Sequence, residues 1–251
     1  MSGFEVYVLV LRKQSFALIS GDFDVIEKKM YAGLDLGQSQ DYTALMAMES
    51  YQEVERPGLE LVSVGCMGKV ETLIQDRAPK QKPQKLHERT YSIRHLERFV
   101  LGTSYPAICK RVVDLCNTPQ LERCLLAVDM PGVGRAVVDM LVAMRPRAHI
   151  VPITITAGKG VTSDNRGGWH VAKKELVSVL QVLLQSRRLK IAKSLANAAV
   201  LVRELETFKV KVTSSANETF EAWREKDHDD LVLSVALATW SAAMLPEAPG
   251  L

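Results

Sequence analysis

Two apolar runs of the chain end in an aspartate. In GLDLGQSQDYTAL the run stops at Asp35 and gives way to Gly37 and polar residues; in CLLAVDMPGVG it stops at Asp129 and turns through Pro131, Gly132 and Gly134. An acid at the end of a buried strand either projects from the sheet edge into a site or closes a turn. Two such acids favour a site, because neighbouring parallel strands deliver their carboxyl ends to one edge, where ligands bind. A third acidic element opens the apolar stretch KDHDDLVLSVALATW with His228, Asp229 and Asp230. One acid at a helix start suits the helix dipole and serves as a cap. Two acids and a histidine exceed that need and suit a helix that delivers its first turn to Asp35 and Asp129.

Carboxylates gathered so closely repel one another and call for cations. Oxygen donors with few nitrogens and no thiolates select magnesium or manganese. Two such ions about 3.5–4 Å apart activate water and stabilise the leaving oxygen of an in-line displacement at phosphorus. The expected site is therefore Asp35, Asp129, Asp229 and Asp230 around two Mg2+ or Mn2+ ions. Consecutive helical residues point about 100° apart, so one of Asp229 and Asp230 faces the metals squarely while the other caps the helix or supports a neighbour. Asp230, deeper in the helix, is favoured as the ligand. Asp41 shapes the turn before the second strand.

The elements that position these acids follow from pattern. The runs ending at Asp35, in TALMAME and in LELVSVGCMG read as successive strands of an antiparallel meander. KVETLIQDRAPKQKPQKLHERTYS, polar and proline-bearing, reads as a long loop or flap. From Tyr105 the chain alternates: helix AICKRVVDLCN, strand CLLAVDM, helix GRAVVDMLVAM, strand HIVPITI, as for a parallel sheet with helices packed on it. A Gly-rich loop, TAGKGVTSDNRGGWH, leads to the helix KKELVSVLQVLLQSRR. After it come a short strand LKIA, a helix LANAAVLVRELETFK, a hairpin around VKVTSSANETFEAW and the last helix.

Composition sets wide limits. The 251 residues suffice for a core without staples, and a hydrophobic fraction of 47% with 24% charged residues is that of a globular chain. The net charge of +3 permits a nucleic-acid partner without demanding one. The four cysteines, Cys66, Cys109, Cys116 and Cys124, form no C-x-x-C pair and read as reduced core residues of a cytoplasmic protein. The N-terminal run FEVYVLVLRKQSFALIS is interrupted by Arg12 and Lys13 and reads as neither an export signal nor a membrane anchor. In TAGKGVTSDNRGGWHVAKK, Lys159, Arg166, Lys173 and Lys174 stand beside glycines that let backbone approach phosphates, either as a DNA-positioning edge or as a solvated loop. Trp169 reads as an anchor packing this loop onto the domain, or as a surface on which a base stacks.

The segments GLDLGQSQDYTAL, VDMPGVGRAVVDML, KKELVSVLQVLLQSRRLKI, LVRELETF and HDDLVLSVALATW, in this order, resemble the nuclease domain of the large terminase subunit of tailed bacteriophages, from about Met30 to about Ala243. The resemblance implies an α/β, ribonuclease H-like fold, a mixed β-sheet flanked by helices, spanning 30–245 between an extension or linker remnant at 1–29 and a tail at 246–251. It implies a divalent-metal endonuclease that cuts concatemeric double-stranded DNA during genome packaging in the bacterial cytoplasm, with a packaging ATPase, a portal and a small terminase subunit as partners. Under it Asp35 matches the first-strand metal ligand, Asp129 the acid on the later strand, and Asp229 and Asp230 the acidic pair of the last helix. His228 falls in the motif as a neighbour of the site. The family's ATPase has no counterpart here: TAGKGVTS lacks the G-x-x-x-x-G-K-[ST] arrangement, so a separated domain, a truncated prophage product or a two-chain motor is expected.

Other readings use the same residues. A Holliday junction resolvase would place the same acids on a different DNA structure. In a sugar-kinase or actin-like fold, LDLGQSQDYTAL and VDMPGVG would bind nucleotide phosphates, but the acids opening the last helix would then have no task. A packaging adaptor with a decayed nuclease fold has no reason to keep all the acids.

Overall fold

The computed structural model describes residues 23–37, 41–55, 88–130, 134–158, 160–164, 167–214 and 229–245. In chain order these form β1 (Phe23–Asp35), β2 (Ala44–Glu55), β3 (Thr90–Arg98), α1 (Tyr105–Cys116), β4 (Cys124–Asp129), α2 (Gly134–Met144), β5 (Ala148–Thr156), β6 (Val161–Ser163), β7 (Trp169–Ala172), α3 (Lys173–Gln185), β8 (Leu189–Ile191), α4 (Ala198–Ser214) and α5 (Asp230–Met244). The strands make one mixed sheet of eight in the order β6-β7-β5-β4-β1-β2-β3-β8. β1, β2 and β3 are an antiparallel meander, while β4 runs parallel to β1 and β5 parallel to β4. This is the mixed sheet flanked by helices expected from the sequence.

Both faces of the sheet are covered, which is why the central strands read as nearly continuous apolar runs. Side chains alternate between faces. Ala32 and Leu34 of β1, Leu45 and Ala47 of β2, and Leu126 and Val128 of β4 join one core with the buried sides of α1 and α2. Tyr31, Met46, Met48, Leu125 and Ala127 join the other, under α3, α4 and α5. Asp35 and Asp129 have the parity of this second set, so both acids belong to the face that carries α5. That helix is apolar all round and sunk into the core, with Leu231, Val232, Val235, Leu237 and Trp240 all buried; each such side chain contributes about 1.5–3 kcal/mol.

Several elements differ from expectation. β3 begins at Thr90, inside the expected loop, and runs on to Arg98 through residues that the sequence reading gave no element. Its charged residues find partners outside the strand: Arg94 reaches Glu49 at 2.6 Å, and Arg111 reaches Glu97 at 2.9 Å. The Gly-rich segment is partly a strand pair, with β6 antiparallel to β7 and Gly160 and Gly167 in the left-handed region. α4 continues through Ser214, so its described residues do not open a hairpin at VKVTS. β1 begins at Phe23, upstream of Met30. The expected strand LELVSVGCMG, most of the flap, and His228 lie outside the described residues, as do the extension before residue 23 and the tail after 245. Cys109, Cys116 and Cys124 are free and buried. No described helix is long and apolar enough to cross a membrane.

Candidate active site

The register brings the first two acids together. β1 and β4 pair in parallel up to Leu34 opposite Val128, so Asp35 and Asp129 follow as neighbours at the carboxyl edge of the sheet. The chain beyond each is pinned. The Gly37 N–H donates to Thr43 Oγ1 at 3.1 Å, and the Tyr105 hydroxyl donates to the Gly37 carbonyl at 3.1 Å. Asp41 is exposed, and its carbonyl crowds the space a Gly37 side chain would need, in keeping with a turn role. After β4, α2 starts at Gly134, where a Cβ would stand 2.4 Å from the Asp129 carbonyl oxygen.

α5 supplies the other acids by lying directly on β1. A Cβ on Gly33 would come 2.0 Å from the Ser234 carbonyl oxygen. Only glycine permits that approach, and the approach carries the helix start to Asp35. The electrostatics record the gathering: the Asp35 carboxyl, 6% exposed, is held well above the usual carboxylate range by burial and then by the charges of Asp129, Asp230 and Asp229, with Lys173 opposing. The other three predicted acids therefore all act on Asp35.

The helix start removes the capping role from the two left open for its second acid. Asp229 occupies the N-cap position of α5, but its side chain caps nothing. The Val232 N–H, which an N-cap acid would satisfy, donates instead to Glu204 Oε2 of α4 at 3.3 Å. The Asp229 carboxylate turns to Lys173, whose Nζ lies 3.2 Å away. Lys173, expected at a DNA-facing edge, is thus the first residue of α3 and stands in the acid cluster with 16% of its side chain exposed. Lys174 is exposed on the first turn of the same helix. Lys159 and Arg166 lie outside the described residues. Trp169 packs edge-to-face on Trp240, with ring centroids 5.8 Å apart, as an anchor would.

Two further residues at this edge had no role in the sequence reading. Arg98, at the end of β3, donates to Glu204 and stands 3.5 Å from Asp230 Oδ2; its guanidinium lies over the Tyr42 ring, 4.9 Å from the centroid. The Glu204 carboxyl is pushed up to about 7 by burial, with Arg98 pulling the other way. Glu204 falls within LVRELETF, so its segment was marked although its function was not.

The donor set suits a hard divalent cation: all its acids offer oxygen and three of them crowd Asp35, so added positive charge relieves the site. In the described arrangement no three acid, imidazole or thiol groups converge ready to grip one ion, and Lys173 and Arg98 stand at Asp229 and Asp230. The edge is a carboxylate cluster balanced in part by its own cations.

No protein-family model matches the sequence, and no curated protein matches it. Among solved structures the chain is similar to the large terminase nuclease from thermophilic phage G20c with bound zinc, at 17% identity and a TM-score of 0.45, over 93% of this chain and 92% of that one.

Proposed function

We propose that this chain is a metal-dependent endonuclease that hydrolyses phosphodiester bonds of double-stranded DNA, and that it serves phage genome packaging beside a packaging ATPase, a portal and a small terminase subunit. The observation that carries the reading is the meeting of Asp35, Asp129, Asp229 and Asp230 at one sheet edge, where burial and then the charges of the other three raise the Asp35 carboxyl. Asp35, Asp129 and Asp230, with Asp229 as the more exposed neighbour, are the residues that would hold two Mg2+ or Mn2+ ions. Such ions supply Lewis acidity and a water nucleophile at neutral pH.

The chain's own residues do the rest. Asp35 and Asp129 are carried by paired strands, and Asp230 by a buried helix, so all three acids stand on rigid elements. The amino-terminal ends of α3 and α5 both face this edge and favour anions there, phosphate included. Lys174, with Lys159 and Arg166, would steer the DNA backbone without reading bases, so cleavage would be weakly sequence-selective.

Incubation of supercoiled plasmid with the protein and Mn2+ or Mg2+ tests the reading. Nicked and linear products that vanish with chelator and with Asp35→Asn are expected. Intact plasmid under conditions where calorimetry shows Mn2+ bound would overturn it, and preferred cleavage of a four-way junction would move it to the resolvase reading.

A further inference from the structure

Arg98 and Glu204 come from β3 and α4, elements that carry none of the four acids, yet both reach the first turn of α5. The Glu204 carboxylate is bonded at both oxygens: Oε1 accepts from Arg98 Nη2, and Oε2 accepts from the Val232 N–H at 3.3 Å. The same guanidinium nitrogen lies 3.5 Å from Asp230 Oδ2, beyond hydrogen-bond length for a charged pair. The side chains of Glu204 and Asp230 are each 8% exposed, so water screens neither contact well. One guanidinium thus stands between two buried carboxylates and is bonded to the one outside the acid cluster.

We propose that Arg98 and Glu204 form a positioning couple for Asp230, in which Glu204 takes the guanidinium's hydrogen bond, keeps its ion pair with Asp230 long, and so lessens its competition with a divalent cation there. The inference rests on the metal-dependent reading above. A guanidinium is always charged, and its planar fork matches a carboxylate. With the Glu204 charge removed, Asp230 becomes its nearest buried anion, and the existing 3.5 Å ion pair shortens to a hydrogen-bonded one that competes more strongly with the metal. With Arg98 removed, that competitor is gone and the local negative charge rises. The two changes therefore act on metal affinity in opposite directions, although each breaks the same contact.

The test is calorimetric titration of Mn2+ into the full chain at pH 8, in wild type, Glu204→Gln, Arg98→Gln and the double variant, with circular dichroism confirming the fold. Glutamine at 204 keeps an acceptor for the Val232 N–H. Glu204→Gln is expected to weaken Mn2+ binding about tenfold or more, the usual effect of disturbing a ligand's support. Arg98→Gln is expected not to weaken it, and the double variant to recover most of the loss. Equal weakening by both single variants, or no change in either, would overturn the couple while leaving the metal site standing. Wild type that binds no Mn2+ would instead overturn the nuclease reading and this inference with it. Should Glu204→Gln alone fail to fold, the double variant is compared with Arg98→Gln: a small change supports the couple, and a tenfold loss without the guanidinium refutes it.

Discussion

Replacing Gly33 by alanine tests whether the contact between β1 and α5 builds the site. The new Cβ would stand 2.0 Å from the Ser234 carbonyl oxygen, 3.0 Å from its carbon and 3.3 Å from the Ala238 Cβ. Even close C–H···O contacts keep carbon and oxygen about 3.3–3.6 Å apart, so α5 must retreat by more than ~1 Å. The first obstacle is helix backbone, and no rotamer change relieves it. Forced overpacking of this kind destabilises by about 1–3 kcal/mol, and with backbone on one side we expect the upper part of that range. For a chain of this size each kcal/mol lowers the melting midpoint by ~2–4 °C. The same displacement pulls Asp230 from Asp35, and a 1 Å misplacement lowers turnover on the order of 100-fold. Thermal melting and plasmid cleavage below the melting range measure the two effects separately. Gly158→Ala is the control, since a Cβ there meets only Thr156 Oγ1 at 3.7 Å. A Gly33→Ala protein with wild-type midpoint and wild-type cleavage would refute the close approach as the device that places the helix acids.

Three further outcomes follow from the same edge. In the metal-free protein the folded Asp35 carboxyl holds its proton more tightly than the unfolded one, so its contribution to stability is full below the ordinary carboxyl range, about pH 4, and is lost as pH rises through its raised value. The stability of Asp35→Asn relative to wild type, from urea midpoints, should therefore grow as pH rises from about 4; a gap that shrinks would contradict the crowding of carboxylates. Lys173→Met removes the cation 3.2 Å from Asp229. It should lower the metal-free melting midpoint and enlarge the rise that Mn2+ produces, and an unchanged Mn2+ shift would place Lys173 outside the charge balance. Trp169→Ala should lose about 0.5–1.5 kcal/mol from the ring pair beyond its lost burial, with DNA affinity of the folded protein retained; lost affinity at an unchanged midpoint would make Trp169 a base-stacking residue instead.

The acids were legible because burial and charge conflict within a few residues of sequence. An apolar strand ending in Asp35 or Asp129 breaks its own pattern, and the break is local. The α/β alternation after Tyr105 was legible for the same reason, since each helix and strand repeats its apolar period over its own length. β3 was not. Arg94, His95, Glu97 and Arg98 interrupt its period, and their partners are 45 residues away for Arg94, 14 for Glu97 and 106 for Arg98. A charged strand is tolerated only when tertiary contacts neutralise it, and for Arg94 and Arg98 no local window of sequence contains those contacts. The expected hairpin after α4 failed on the opposite count: the β-branched residues of VKVTS suit a strand by propensity, yet the helix runs through them.

The start of α5 shows what this non-local layer does. By propensity, Asp229 before an apolar run is a cap, and Asp230 is a first-turn acid that favours the dipole. Had Asp229 capped the helix, its carboxylate would have been spent on the α5 backbone. Glu204 takes the Val232 N–H from a neighbouring helix, so Asp229 is released to Lys173, and Arg98 is held chiefly by Glu204 rather than by Asp230. One glutamate outside the acid cluster therefore bears on both helix acids, through the Val232 N–H and through Arg98. Each further acid at such an edge raises the repulsion that Asp35 already registers, and this one is tolerable because it arrives with its own arginine. Stability and site chemistry then share a single element: the helix that fills the core between α3, α4 and the sheet is also the one whose first turn completes the carboxylate cluster.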